Sequence, residues 1–356
     1  MKNLPLSVKL IGSFLIVALL TVAVGVVGLN GVRSISGQLH GVTDVSMPAA
    51  EALLGVEARL NGLVSEIHLT LSPRLGGDDR EAIPQRIEAI REQYREAYAR
   101  YDELPKTSEE EAAWEEAKER IAHWAEVNNE VLAMNQQLLD TDILSPAELQ
   151  RDLQRFRGDH YRVSDSVARL LDDGVVFDGG TDATTCNFGR WMSSFETTNE
   201  HVNAVVAASR SHHDAFHASV RSIKDAHGEG RLDAAQREHD DLMQHASSVF
   251  TAFDELISEA DRVATLYAAM SESMLVRGAA ERQKGLQALG ELIEVVEHQA
   301  HDREVEADAV ASRAQIVGVT GMVLGALLAI ALGWIITRMI TRPVLEGVRF
   351  AQALAQ

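Results

Sequence analysis

The chain is poor in the residues that build most non-helical folds. It has a single cysteine in 356 residues, which excludes an intramolecular disulfide framework. Seven prolines and an aromatic fraction of 5% count against a β-sandwich or a barrel, and abundant Ala, Leu, Glu and Gln favour helices. Positive charge is short as well: 33 Lys and Arg stand against 53 Asp and Glu, a formal net charge of −20. A nucleic-acid binder would show a basic face, so no nucleic-acid partner is expected. The length allows one large domain or two ordinary ones, with a sizeable core.

Charge of either sign is missing altogether from two stretches, Leu10 to Val32 (23 residues) and Ala314 to Thr337 (24 residues). Both exceed the roughly 20 helical residues that cross a hydrocarbon core about 30 Å thick. The first is longer than a signal-peptide core and ends without a small-x-small cleavage site, so it reads as an uncleaved anchor. Lys2 and Lys9 precede the first stretch, and Arg338, Arg342 and Arg349 follow the second. By the positive-inside rule both ends face the cytoplasm. Residues 33–313, with 28 basic and 52 acidic side chains, then lie outside. The expected location is a bacterial inner membrane crossed twice, with membrane lipid as one partner and a periplasmic sensor domain.

Beyond the first stretch, Val32, Ile35, Leu39, Val42, Ser46, Ala49, Leu53, Val56, Leu60, Leu63 and Ile67 recur by threes and fours, the heptad of a bundled helix. Pro48 should kink it. A second helix is expected from Asp78 to Tyr101. A third follows to Leu139, opened by a Ser108/Glu111 capping box, with Trp114, Ala117, Ile121, Trp124, Val131, Met134 and Leu138 inward. Leu286, Leu289, Ile293, Val296, Ala300, Ala307, Val310, Ala314 and Val317 carry the same period into the second apolar stretch, and Arg303 is its one polar interruption. Long first and last helices joined to the membrane and bridged by two shorter ones resemble the four-helix-bundle sensor of methyl-accepting chemotaxis receptors. The segment "ITRPVLEGVRFAQALAQ", with its Arg342-Pro343 pair, is similar to the start of a HAMP linker. Were residue 356 the natural end, output would have to come from a partner.

A plain four-helix sensor has no need of the segment between the third and last helices. Ser145-Pro146-Ala147-Glu148 reads as a helix start, and that helix carries His160. Gly174, Gly179 and Gly180 mark a loop leading to Cys186-Asn187-Phe188-Gly189-Arg190-Trp191. The next helix holds His212-His213-Asp214-Ala215-Phe216-His217. His213 and His217 are four apart and share one helical face. Cys186 can add a thiolate where Gly189 relaxes the backbone, and His160 can complete a tetrahedral set from the facing helix. Three imidazoles and one thiolate suit Zn²⁺. His212 points about 100° away from the pair and stays open as an alternative to His213.

The order His, then Cys-x-Phe-Gly-x-Trp, then His-x-x-x-His is similar to the chemoreceptor zinc-binding (CZB) family, over roughly residues 145–260. The resemblance implies His160, Cys186, His213 and His217 as metal ligands, Gly189 and Trp191 as supports of the cysteine turn, and a response to zinc or to oxidants such as hypochlorous acid. Four protein ligands leave no open position for an activated water, so no enzyme is expected.

The expected fold is therefore all-α: a membrane-anchored antiparallel helical bundle with two transmembrane helices and a second, inserted helical bundle. Its segments are a cytoplasmic N-terminus (1–9), span one (10–32), the first part of an external sensor (33–142), a zinc-binding insert (143–264), the final sensor helix (265–313), span two (314–337) and the start of a HAMP linker (338–356). The expected function is that of a transmembrane chemoreceptor, a homodimer that binds Zn²⁺ and transmits zinc or thiol-oxidation state to a downstream signalling module or kinase complex. The alternative is a receptor for a small organic ligand with purely structural zinc.

Overall fold

A computed structural model describes residues 5–354, which contain helices and no strand. Lys2 and the last two residues of the 338–356 segment lie outside them. The α-helices are α1 (Leu6–His40), α2 (Met47–Leu69), α3 (Gly77–Asp102), α4 (Ser108–Thr141), α5 (Pro146–Asp173), α6 (Asn187–Ser194), α7 (Glu200–Gly228), α8 (Leu232–Glu272) and α9 (Ala279–Leu354). Two helices are long and apolar enough to cross a membrane, one through α1 and one through α9. Two compact units divide the chain: one takes residues up to 55, 97–113 and from 290 onward, the other residues 56–96 and 114–289.

In the first unit, where a kink is expected at Pro48, the chain stays helical through the proline but changes its turn just ahead of it. Proline has no N–H to return to the carbonyl four residues back. The chain inserts a π turn, Gly41–Ser46, immediately before it, a recognised way to absorb one extra residue in a helix. Arg303, the polar break in the α9 stripe, has its reason here: its Nη1 donates to Gly41 O at 2.8 Å and to Ser46 Oγ at 2.9 Å. The apolar stretches of α1 and α9 pack closely. A Cβ on Gly31 would lie 2.8 Å from that of Ala314, and one on Gly321 would overlap Val24. Val32 and Leu39, expected to face inward, are 66% and 59% exposed, because among the described residues no element covers these two side chains.

The cap of α4 falls one residue before the expected Ser108/Glu111 pair. Thr107 N–H donates to Glu110 Oε2 at 2.7 Å, and Glu110 N–H donates to Thr107 Oγ1 at 3.2 Å, a reciprocal capping box.

In the second unit, the expected stripe is buried: Val56, Leu60, Leu63 and Ile67 on α2, and Trp114, Ala117, Ile121, Trp124, Val131 and Leu138 on α4. Met134 is half-buried. Ser145 precedes α5, with Pro146 in its first turn, yet its hydroxyl does not cap the helix; it donates to Pro73 O at 2.8 Å. Helix α8 packs against α5 and α7. Val167, Leu170, Phe216, Val220, Ile223 and Leu242 form their shared core. Helix α8 crosses residues 264–265 without a break. It reaches α9 through a second π turn, Ser273–Gly278.

Candidate metal centre

His160 projects from the middle of α5, and His213 and His217 from one face of α7, all three at 2% exposure or less. Cys186 does not sit in an open loop. It is the N-cap of the short helix α6, where its Sγ accepts from Gly189 N–H at 3.1 Å. The helix geometry also revises the role of Gly189. It does not relax the backbone; a Cβ there would overlap the carbonyl oxygen of Ala183, so only glycine lets the 183–186 turn close onto α6. Asn187 Nδ2 donates to Asp159 Oδ2 at 2.6 Å and fixes α6 on α5, one residue from His160.

The four side chains converge. One ligand atom from each of His160, Cys186, His213 and His217 lies within 4.8 Å of all the others. Cys186 Sγ is 3.1 Å from His213 Nε2, which is 3.2 Å from His217 Nε2. Two nitrogens bound to one tetrahedral zinc stand about 3.3 Å apart, given Zn–N distances near 2.0–2.1 Å. Backbone carbonyls set the tautomers: His160 Nδ1 donates to Phe156 O at 2.7 Å, and His217 Nδ1 to Gly180 O at 2.8 Å. Both Nε2 atoms then carry lone pairs aimed inward, the orientation that outer partners impose on metal-binding histidines. Gly180 has φ +78°, and a Cβ there would press on Val163 and Val220 at 3.2 and 3.3 Å.

His160 Nε2 and His213 Nδ1 are buried with no hydrogen-bond partner in the protein. Around His160 the walls are aromatic, with the Phe188, Phe216 and Phe253 ring centroids 6.2, 5.2 and 5.9 Å from its own, and the nearest carboxylate to His213 Nδ1, that of Asp214, is 3.8 Å away. Trp191 extends the wall, 5.8 Å from both Phe156 and Phe188. Burial pushes the His160 imidazole down to about 4 and that of His213 to about 3, and lowers His217 as well. Burial raises the Cys186 thiol, partly offset by the Gly189 and Phe188 amides. The cluster is thus neutral near pH 7: the Cys186 thiol can donate to His213 Nε2 at 3.1 Å, but the buried His160 Nε2 has no donor, which is costly unless something binds it. Three borderline nitrogens and one soft sulfur match the preferences of Zn²⁺.

His212 is exposed and turns away from this cluster toward His245 on α8, Nδ1 to Nδ1 at 3.3 Å. His245 was not singled out from the sequence; a lone histidine on a helix gives no sign of a partner on another helix. Phe253 and the carbonyls of Phe156 and Gly180 were missed too.

Residues 3–142 match a family model described as a four helix bundle sensory module for signal transduction. That segment is similar to a receptor's sensor. The match takes in α1 to α4, stops short of the metal-type cluster, and supports a transmembrane, chemoreceptor-type sensor; the matched family is a sensory module, not a catalytic one. Searches of the curated proteins and of the solved structures found no match.

Proposed function

We propose that the protein is a chemotaxis-type membrane receptor that holds Zn²⁺ at His160, Cys186, His213 and His217 and passes zinc occupancy or the thiol state of Cys186 to the cytoplasm. The supporting observation is the convergence of four ligand atoms within 4.8 Å at a buried point on α5, α6 and α7. Four side-chain ligands would leave a tetrahedral zinc no open position, which favours structural or sensing zinc over catalytic zinc.

Bound zinc would supply the positive charge that keeps the Cys186 sulfur as thiolate. The thiolate is the form oxidants attack: with hypochlorous acid, the sulfur takes up OH to give sulfenic acid and chloride leaves. The added oxygen has little room, with Gly189 N at 3.1 Å and Ala183 O at 3.3 Å from Sγ, so the 183–189 turn would have to open. Helix α7 carries two ligands and packs on α8, which leads through the second π turn into α9 and its apolar stretch. Exposed Val32 and Leu39 are positions that a second copy of the chain would cover. The output would be read by a downstream signalling module or kinase complex.

The test is the metal content of the full chain, purified in detergent micelles with the thiol kept reduced and passed through gel filtration. About one retained zinc per chain is expected, and its loss in both Cys186→Ala and His213→Ala/His217→Ala. A wild-type chain that retains none after zinc addition overturns the reading.

One observation favours the alternative of a small-ligand receptor. A cavity of about 80 Å³ is lined by Ile67, His68, Trp124, Asn128, Met274 and Arg282, among others. Asn128 Nδ2 and Arg282 Nε are buried along it without partners. Signalling that survives in a folded, zinc-free Cys186→Ser chain would select that alternative.

A further inference from the structure

We propose that His212 on α7 and His245 on α8 form a second site for a borderline divalent cation such as Zn²⁺, Cu²⁺ or Ni²⁺, open to solvent and separate from the buried cluster. The two Nδ1 atoms are 3.3 Å apart. The rings do not stack: their centroids are 5.6 Å apart and their planes 43° apart, so they meet through their nitrogen edges. That spacing is the edge of a zinc tetrahedron with Zn–N near 2.0–2.1 Å. It also suits Cu²⁺ and Ni²⁺, which imidazole binds well.

The two residues stand on long helices packed against each other, so the backbone already holds the pair together. A cation bridging the pair would take both Nδ1 lone pairs, the tautomer in which each neutral ring carries its proton on Nε2. Water would complete the coordination, so this site is weaker and faster to exchange than a four-ligand one. Helix α7 then carries ligands of both sites, His212 outward and His213 and His217 inward. The weaker site lets the same helix answer zinc concentrations above those that fill the buried cluster.

The test uses the full chain in detergent micelles, dialysed against rising Zn²⁺. Wild type should bind one weak equivalent that His245→Ala and His245→Gln both lack; His245 is half-buried on α8 and is not one of the buried cluster's ligands. That equivalent should persist in Cys186→Ala, so failure of the buried zinc reading would leave it in place. Added Cu²⁺ should give an electron paramagnetic resonance spectrum with two equatorial nitrogens, lost in His245→Gln. Unchanged zinc stoichiometry and Cu²⁺ spectrum in the His245 variants overturn the proposal, as does loss of the weak equivalent in Cys186→Ala.

Discussion

Acid should loosen the metal-free cluster, by an amount that follows from where its histidines sit. The perturbation is removal of metal with a chelator and a fall from pH 7.5 to pH 5. Each imidazole is depressed in the folded chain, so the unfolded chain binds more protons across the interval and stability falls with pH. The stability is fully present above the unfolded value of 6.5 and is lost as pH falls toward about 4 for His160 and about 3 for His213. At pH 5 both folded values lie below the working pH, so the unfolded value sets the loss: about 2 kcal/mol per histidine, about 4 kcal/mol for the two. His217 is lowered too and adds in the same direction. This is a large share of a typical domain's roughly 5–15 kcal/mol. Cys186 acts at the other end: its raised pKa gives stability that is present below the ordinary thiol value and lost as pH rises through the folded one. The assay is amide hydrogen exchange in peptides from α5 and α7, corrected for the intrinsic pH dependence of exchange. His160→Phe, placed among Phe188, Phe216 and Phe253, should remove about 2 kcal/mol of the pH 7.5-to-5 difference, less than half of it. Equal opening free energies at the two pH values, or no change in His160→Phe, would refute the reasoning.

Three further substitutions test particular contacts. Gly189→Ala places a methyl group against the Ala183 carbonyl; it should cost about 1–3 kcal/mol in thermal unfolding and weaken zinc retention at least tenfold, whereas wild-type retention would show that the turn closes without glycine. Arg303→Ala removes the bonds to Gly41 O and Ser46 Oγ and should cost about 1.5–3 kcal/mol, read as faster amide exchange confined to the first π turn and its flanks. Thr107→Ala should destabilise α4 by about 1 kcal/mol while Ser108→Ala stays within about 0.5 kcal/mol; the reverse order in denaturant unfolding would put the cap back on Ser108.

The parts of this protein legible in its sequence are those in which a residue's neighbours in space are its neighbours at helical spacing. The uncharged stretches, the α2 and α4 stripes and the His213/His217 pair all follow from one helix at a time. The displaced cap of α4 could have been read the same way. Thr107-x-x-Glu110 and Ser108-x-x-Glu111 satisfy the same pattern, but only Glu110 stands four residues before the fully buried Trp114, on the face that shields its carboxylate from water. Contacts between elements left no such mark. The carbonyl of Gly180 that orients His217 belongs to the backbone, and Arg303 looked like a flaw in the α9 stripe until the π turn at Gly41 supplied its partner. His212 shows the difference most clearly. Its angle on α7 gave its separation from the His213/His217 pair, but whether it was a spare ligand or a solvated side chain depended on the register of α8, which places His245 opposite it. A histidine's chemistry here is decided by the second helix, and a single sequence carries only a weak trace of which helix that is.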